Sequence, residues 1–366
     1  MKRIFALVLV LATLLTLAGC GSKYKAVKST KEEARVVMSF SLDGEEYEVK
    51  YELYRALFLG YKGQVDGGDS SVWSGDDADK YVKEINELIV GRAAEIYSVI
   101  ALAEELGFKP YSGDFDDEIE ARIEMSVDGG GTVVGFGGDY DAYLASLKEM
   151  NLNYSVQTLM LRYSICLEMI NEYYLGVEDA ALGHLDGDFA FTKEDVKSYY
   201  MSDECVRIFH AFVGKNKMSD SEERINTLRS DILAAENDTD IALLIINRTT
   251  AVTSDLLNGR KVTGIVLGQD TISDGIYAAY RDTAFSLEVG EVSEVIEIGG
   301  AEPGYYVIYV LEKSTEHFDS CYETVKNSYL DNVIGKKLDE ISEKLMSSVE
   351  YSDDFNTIEH KSISMN

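Results

Sequence analysis

Four histidines could take part in proton transfer near neutral pH, and they are His184, His210, His317 and His360. None of them lies in an HExxH motif or in a paired metal-binding spacing, so the sequence does not predict a zinc site. No serine lies in a GxSxG motif, which argues against an α/β-hydrolase. For His184, His317 and His360 we expect simple packing or exposure. His210 remains the candidate for chemistry because of the sequence around it.

Glycine-rich and aspartate-rich segments offer further candidate binding sites. The run 129–138 lacks the Lys-Ser/Thr pair of a phosphate-binding P-loop, so we expect a loop between helices. Asp186-Gly187-Asp188 resembles the start of a calcium loop, but glycine stands at position two instead of six and Lys197 at position twelve. Five aspartates could bind calcium, although a solvated acidic loop is the preferred interpretation: Asp66, Asp69, Asp76, Asp77 and Asp79.

The composition excludes several classes of function. The chain has 366 residues with 34 Lys+Arg and 65 Asp+Glu, which gives a formal charge of −31. This excess of acid argues against nucleic acid as a partner and against electrostatic docking on anionic lipid. Apolar residues make up 46% and charged residues 27%, which is typical of a globular protein, and the length suggests two or three domains. Four cysteines are too few for a disulfide scaffold.

The first twenty residues resemble a bacterial lipoprotein signal. Two basic residues precede an apolar run of about 14 residues, shorter than the roughly 20 that a transmembrane helix needs. The sequence Leu17-Ala18-Gly19-Cys20 is similar to the lipobox, after which cleavage leaves a lipid-modified cysteine. We therefore expect a signal peptide over 1–19, a lipid on Cys20 and a flexible tether over 20–35. An ordinary signal peptide with a chance cysteine is the alternative.

Hydrophobic periodicity predicts a mostly helical first half. Residues 36–51 alternate around Asp43-Gly44 as a β-hairpin would, whereas residues 63–79 are typical of a loop. Helical spacing extends over 78–107 and ends at Gly107, with Phe108 placed for a Schellman contact. Further helices are predicted over 140–150, 155–175 and, after a capping box at Thr192, 192–200.

The second half of the chain has a mixed pattern and then a closing helix. Strands are predicted over 206–213, 262–267, 292–298 and 305–311. A helix is predicted over 221–236, a helical or turn-like segment over 273–285, and the closing helix over 318–347. The sequence therefore predicts a helical block followed by an α+β block.

The segment Cys205–Lys313 resembles a parvulin-type peptidyl-prolyl isomerase domain. The similarity begins at Val206–Val213, a strand with His210 near its centre. It continues through Tyr280–Ser293, where Ala-Phe precedes Leu-x-x-Gly-Glu-Val-Ser, and it ends at Gly304–Val310. Three blocks in this order over about 110 residues imply a parvulin-like α+β domain with a four-stranded sheet.

The flanking regions resemble those of extracytoplasmic foldases of the PrsA and SurA type. In that family a mostly helical chaperone domain precedes the isomerase domain, and the C-terminal helix packs back on the chaperone domain. The resemblance implies an α+β protein with a chaperone domain over 36–200, a parvulin-like domain over 203–314 and a C-terminal helix over 318–366.

The resemblance also implies which residues form the site. Rotation about an X-Pro bond breaks no bond to a leaving group, so no cofactor and no metal are expected. It needs an apolar slot for the proline ring and polar groups that favour the twisted amide. The implied catalytic residues are His210, Tyr306 and Asn247, and the implied substrate-binding residues are Ile276, Tyr280, Phe212 and Phe285.

One position departs from the family in a way that affects activity. Tyr306 stands where the family has its second histidine, so the usual paired-histidine network cannot form. Either Tyr306 substitutes as a hydrogen-bond donor to His210, or the domain only binds proline-containing segments. Asn247 is the nearest candidate for the Asp or Cys that the family places opposite the histidine.

These resemblances imply a lipid-anchored foldase on the extracytoplasmic face of the cell membrane. It would bind unfolded or newly exported proteins and isomerise their X-Pro bonds. The alternative is a chaperone without catalysis, and both a monomer and a homodimer remain open. A solute-binding lipoprotein would need two α/β lobes, and the helix-rich first half argues against it. Nucleic acid is not an expected partner.

Overall fold

The structure is a computed structural model that describes residues 23–131, 133–175, 191–216, 219–250, 264–269, 277–299 and 303–364. The described residues divide into two compact units. The sheet unit contains residues 191–335, and the helical unit contains residues 23–175 together with 336–364. The fold class is α+β, as the sequence predicts.

The described strands, in chain order, are β1 (Val36–Leu42), β2 (Glu45–Lys50), β3 (Cys205–Gly214), β4 (Ile265–Gly268), β5 (Ile296–Ile298), β6 (Gly304–Leu311) and β7 (Glu350–Tyr351). The described helices are α1 (Tyr51–Asp66), α2 (Ala78–Glu105), α3 (Gly113–Asp128), α4 (Tyr140–Glu149), α5 (Tyr154–Leu175), α6 (Lys193–Met201), α7 (Ser221–Leu233), α8 (Asp238–Arg248), α9 (Ala278–Ser286) and α10 (Thr315–Ser347). Within the described ranges, no helix is both long and apolar enough to cross a membrane.

The predicted hairpin and the predicted end of the long helix are both confirmed. β1 and β2 pair antiparallel around Asp43 and Gly44, whose φ angles of 50° and 94° suit a two-residue turn of type I′. At the end of α2, the N–H of Phe108 donates to the carbonyl of Ala103 (3.0 Å), and Gly107 has a φ of 89°. This is the Schellman arrangement that the Gly107-Phe108 pair predicts.

Three helices lie where the sequence pattern is weak. α1 extends into the segment 63–79, for which the sequence predicts a loop. The sequence does not predict this helix because the exposed Gly60 and Gly63 interrupt its apolar face. α3 buries Phe115, Ile119, Ile123 and Val127, a stripe of one residue in four that is narrower than the usual amphipathic face. α8 begins after Asn237, whose side chain accepts from the N–H of Asp240 (3.0 Å).

The acidic segment after α1 has a structural role at its first aspartate. The carboxylate of Asp66 accepts from the indole N–H of Trp73 (2.8 Å) and from the backbone N–H of Gly68 (2.8 Å), and it pairs with Lys62. Burial alone would raise the pKa of the Asp66 carboxyl. The hydrogen bonds to its charged form outweigh this effect, so the pKa is lowered. In the part of the chain that the structure describes, no three His, Cys, Asp or Glu side chains come together as metal ligands.

The tether predicted over 20–35 is folded from residue 23 onward. The ammonium group of Lys23 donates to Asp128 (2.7 Å), and the Tyr24 ring stacks on Tyr140 with 4.9 Å between ring centroids. The guanidinium of Arg35 donates to the backbone carbonyl of Asp354 (3.0 Å). Residues that the sequence assigns to a tether therefore make side-chain contacts with the helical unit.

The C-terminal residues complete the helical unit. β7 pairs with β1 on the edge opposite β2, which gives a sheet of order β2-β1-β7. The Ser352 hydroxyl donates to the carbonyl of Val36 (2.7 Å) and the Ser352 N–H to that of Val37 (3.1 Å). The C-terminal part of α10 buries Leu338, Ile341 and Leu345. The first and last described segments of the chain thus share one small sheet.

The sheet unit contains the predicted four-stranded antiparallel sheet, in the order β4-β3-β6-β5. One face packs on α7 and α8, and the other packs on α9. The strand predicted over 292–298 is regular only from Ile296, because the Ser293 hydroxyl accepts from the N–H of Ile308 (2.9 Å) before the strand begins. Parts of the segments predicted over 262–267 and 273–285 lie outside the described residues.

A buried carboxylate links three segments of the helical unit. Glu52 on α1 is 3% exposed. It accepts hydrogen bonds from the Ser29 hydroxyl (2.5 Å), the Ser155 hydroxyl (2.6 Å) and the Asn153 amide (2.8 Å). The negative charge is therefore solvated by side chains that precede β1 and that lie at the start of α5.

We predict that Glu52→Ala destabilises the helical unit by about 2 kcal/mol, because three part-buried donors lose their shared acceptor. The measurement is urea unfolding followed by tryptophan fluorescence, since Trp73 is the chain's one tryptophan and is buried in this unit. The control is Glu46→Ala on the exposed face of β2, which should change stability by less than about 0.5 kcal/mol. Equal effects of the two substitutions would contradict the assigned role of Glu52.

Candidate functional site

The pairing of β3 with β6 brings two predicted site residues together. In this antiparallel ladder Phe212 lies opposite Tyr306, and His210 lies opposite Ile308. Side chains alternate between the two faces of a sheet, so His210, Phe212 and Tyr306 share the face that packs on α9. The rings of Phe212 and Tyr306 are 4.7 Å apart between centroids.

Helix α9 adds a tyrosine that completes the cluster. The Tyr280 hydroxyl lies 2.6 Å from Nδ1 of His210, which is hydrogen-bond distance. The Tyr306 ring lies edge-on to both, with centroids 5.6 Å from His210 and 5.1 Å from Tyr280. Four ring-bearing residues, His210, Phe212, Tyr280 and Tyr306, therefore form one cluster of contacting rings, which we call the aromatic recess.

The polar groups of the aromatic recess are uncharged at neutral pH. Burial lowers the pKa of His210 to about 4, so the imidazole is neutral at pH 7. Tyr280 is 4% exposed, and burial raises the pKa of its hydroxyl far above the usual range. The Tyr280 hydroxyl therefore stays protonated and donates a hydrogen bond to Nδ1 of His210. Because Nδ1 accepts this bond, the single proton of the neutral imidazole is on Nε2.

The hydroxyl that reaches His210 differs from the one the sequence suggests. Tyr306 is one of two alternatives that the sequence leaves open, as a donor to His210, yet Tyr280 makes this hydrogen bond and Tyr306 contacts His210 through its ring. The reason is geometric, since Tyr306 is diagonal to His210 on the sheet, whereas α9 approaches His210 from above the sheet. Phe285, also on α9, packs against the same core. Ile276 lies outside the described residues.

The structure does not bring Asn247 to His210. Asn247 is exposed near the end of α8, and this helix buries Ile241 and Ile245 against the face of the sheet opposite His210. There Asn247 lines a polar groove of about 480 Å³ along α7 and α8. The expected position of Asn247 opposite His210 is therefore wrong, because α8 packs on the other face of the sheet. The order of residues along the chain does not show on which face a helix packs.

Two threonines that the sequence analysis missed support the recess from the edge of β3. The N–H of Phe212 donates to the Thr249 hydroxyl (3.1 Å), and the N–H of Thr250 donates to the carbonyl of Phe212 (2.7 Å). The N–H of Gly214 donates to the Thr250 hydroxyl (2.8 Å). β4 pairs with β3 only as far as Ile208, so these bonds satisfy the remaining edge. A Thr-Thr pair after a helix gives no sequence signal for this role.

A glycine makes room for the Phe212 ring. A Cβ atom built on Gly304 would lie 2.2 Å from one ring carbon of Phe212 and 2.5 Å from another. No side chain fits there unless the ring moves. The glycine that opens the last block of the parvulin-like segment thus has a steric explanation.

Two of the histidines assigned to packing are packed. His317 is 6% exposed, and its Nδ1 lies 2.9 Å from the Tyr200 hydroxyl. His360 has its Nε2 at 2.8 Å from the Tyr54 hydroxyl. His184 lies outside the described residues, as does Cys20.

The helical unit has a cavity of its own, of about 530 Å³. Tyr47, Tyr97 and Tyr111 contribute aromatic surface, and Arg162 lies at its wall. The Arg162 guanidinium is already paired with Asp116 (2.7 Å). Five glutamates give the lining an excess of negative charge: Glu45, Glu46, Glu48, Glu52 and Glu104.

We predict that Gly304→Ala displaces the Phe212 ring and destabilises the sheet unit by about 1–3 kcal/mol, as overpacking does in other cores. The measurement is the protection of the Phe212 amide against hydrogen exchange. Gly299→Ala is the matched control, because a Cβ at Gly299 meets no atom within 4 Å. If both variants kept wild-type protection, the steric account of Gly304 would be wrong.

We predict an acid-dependent loss of stability that originates at His210. The pKa is lowered from 6.5 to about 4 in the folded chain, so the unfolded chain binds the proton first. The contribution is fully present above pH 6.5 and is lost as the pH falls toward 4, by about 2 kcal/mol between pH 7 and pH 5.

The measurement is the free energy of opening at the Ala211 amide, by hydrogen exchange in wild type and His210→Gln at both pH values. The variant should lose less stability than the wild type on acidification. Identical losses would mean that another group titrates.

Comparisons with known proteins give structural matches of low similarity. No protein-family model and no curated protein matches the sequence. A PrsA foldase from Streptococcus pneumoniae matches at 14% identity and a TM-score of 0.30, covering 87% of this chain and 97% of its own. PrsA from Bacillus cereus, a peptidyl-prolyl isomerase, matches at 14% and 0.29, covering 90% and 99%. PrsA from Bacillus subtilis matches at 15% and 0.25, covering 86% and 93%.

All three of these solved structures are thus PrsA proteins, and each is matched over nearly its whole length. Because these TM-scores are below 0.5, the function proposed below rests on the residues of the site. The chain is similar to PrsA foldases.

Proposed function

We propose that the chain is a PrsA-like foldase that isomerises X-Pro peptide bonds in the aromatic recess. The observation that carries the proposal is the neutral His210–Tyr280 pair, held at 2.6 Å within a group of aromatic rings. A neutral, partly buried donor beside an apolar surface is what amide rotation requires.

The reaction explains why an uncharged recess is suitable. The barrier to rotation is about 18–20 kcal/mol because conjugation gives the C–N bond partial double-bond character. The planar amide has a large dipole, whereas the twisted amide has a localised nitrogen lone pair and less charge separation. An apolar surrounding therefore stabilises the twisted form relative to the planar form, which is the differential binding that accelerates a reaction.

Each residue of the recess has a role in this scheme. Phe212 and Tyr306 form the surface on which the proline ring packs. The Nε2–H of His210 donates to the substrate amide, and Tyr280 positions it by donating to Nδ1. Phe285 supports the core beneath α9. The chemistry is a rotation, so these groups exchange no proton with the substrate.

The cavity of the helical unit supports a chaperone function. Its tyrosines offer stacking surface, and its glutamates favour segments that carry Lys or Arg. The lipobox-like sequence that ends at Cys20 supports attachment to the extracytoplasmic face of the membrane. The substrates would be exported proteins in the unfolded state.

A non-catalytic chaperone is the second candidate, and one observation favours it. Tyr306 stands in the sequence where the parvulin pattern has its second histidine, and it contacts His210 through the edge-on packing of the two rings. A recess of this kind could hold a prolyl segment without lowering the rotational barrier.

We predict that Tyr280→Phe lowers kcat about tenfold in a protease-coupled prolyl peptide assay while changing KM less than twofold. The buried Tyr280 ring is retained, so the packing around His210 is kept, but His210 loses the donor that fixes its tautomer. His210→Ala should lower kcat at least as much and leave the circular dichroism spectrum native.

The control is Tyr277→Phe, which removes an exposed hydroxyl just before the same helix. A wild-type rate no faster than the uncatalysed one, with aggregation of an unfolded protein still suppressed, would establish the chaperone alternative. Full activity in both Tyr280→Phe and His210→Ala would place catalysis elsewhere.

A further inference from the structure

The first described residues are fixed at one end of α3. The backbone N–H of Lys23 donates to Glu124 (2.5 Å), and its ammonium group donates to Asp128 (2.7 Å). The Tyr24 hydroxyl also donates to Asp128 (2.5 Å). Lys23 is separated from Cys20 by only three peptide units of the sequence.

The same residues contact the glycine-rich segment 129–138, which we call the Gly loop. Tyr24 stacks on Tyr140, just after the loop, and the Tyr140 hydroxyl donates to the carbonyl of Lys25 (2.8 Å). The N–H groups of Phe136 (2.8 Å) and Gly138 (3.0 Å) donate to the carbonyl of Val127, which ties the loop back to α3. Tyr24 and Lys25 thus lie beside the Gly loop.

The Gly loop presents apolar side chains to solvent. Val134 is 96% exposed and Phe136 is 40% exposed. Residues 129–138 contain no charged side chain, although the chain as a whole has a formal charge of −31. The Phe136 ring also packs edge-on against Tyr143, with 5.8 Å between ring centroids, so Val134 is the apolar side chain of the loop that is fully exposed.

The excess of acid argues against electrostatic docking of the chain as a whole on anionic lipid, but the residues beside the Gly loop have the opposite charge. Residues 21–31 contain Lys23, Lys25, Lys28 and Lys31 and no Asp or Glu, and all four lysines are exposed. The Lys23 ammonium group is already paired with Asp128, so the charge that matches the phosphate groups of an anionic bilayer comes from Lys25, Lys28 and Lys31. Lipid is favoured over an acidic protein partner because Lys23 lies only three residues after Cys20, the proposed site of lipid attachment.

We propose that residues 23–31 and the Val134–Phe136 part of the Gly loop form a surface that lies on an anionic lipid bilayer. The inference rests on the proposed lipid attachment at Cys20. Three peptide units span at most about 11 Å, so a lipid on Cys20 holds Lys23 and the adjoining loop at the headgroup layer. The acyl chains supply the anchor, and this surface sets the face of the helical unit that meets the membrane.

The test uses the full-length lipoprotein reconstituted in vesicles of phosphatidylcholine and phosphatidylglycerol whose acyl chains carry bromine, a short-range quencher of tryptophan. Val134→Trp places a probe at a 96% exposed position, where folding is not at risk. Trp73 is 5% exposed and gives the same background in every variant. We expect the fluorescence added by the new tryptophan to fall at least twofold relative to unbrominated vesicles.

Met150→Trp is the control, since Met150 is 57% exposed at the opposite end of α4 from the Gly loop. Its fluorescence should be unchanged by bromine. Flotation of the variants with vesicles, measured on the same samples, reports the anchor separately. Flotation with equal quenching at the two positions, or with none, would overturn the lipid-facing surface and leave the anchor in place. Failure to float would overturn both, while the prolyl peptide assay still reports the isomerase.

Discussion

The pairing of β3 with β6 is the constraint on which the sheet unit depends. One register places Phe209, Ala211 and Val213 against α7 and α8, and it places His210 and Phe212 with Tyr306 beneath α9. A slip by one residue would exchange the two faces and put the histidine in an apolar core. The same β3–β6 pairing therefore forms the apolar core and positions His210 in the aromatic recess.

The aromatic recess has a cost in stability that its surroundings offset. Burying an imidazole without a charge partner favours the neutral form, and the Tyr280 hydroxyl satisfies the nitrogen that would otherwise be left without a donor. Thr249 and Thr250 satisfy the strand edge in the same way. The result is a site whose polarity comes from oriented neutral dipoles, which suits a reaction that forms no ion.

What the sequence could predict depended on whether the information was local. The hairpin turn at Asp43-Gly44, the capping box at Thr192 and the helix end at Gly107 are local, and the structure confirms them. The face on which α8 packs depends on the whole sheet, so Asn247 was placed wrongly. To predict that Tyr280 is the hydrogen-bond partner of His210, one must likewise know how closely α9 packs on the sheet. The spacing of residues along the chain does not give this distance.

The β1–β7 pairing has a consequence for how the chain reaches its folded state. Strand β1 begins at Val36, and its partner β7 ends at Tyr351, so the small sheet joins segments from the two ends of the sequence. The residues of the sheet unit, in contrast, are contiguous from 191 to 335. Because synthesis proceeds from the N-terminus, all residues of the sheet unit are made before the last strand of the helical unit, β7. All residues of the aromatic recess are therefore present before the helical unit is complete.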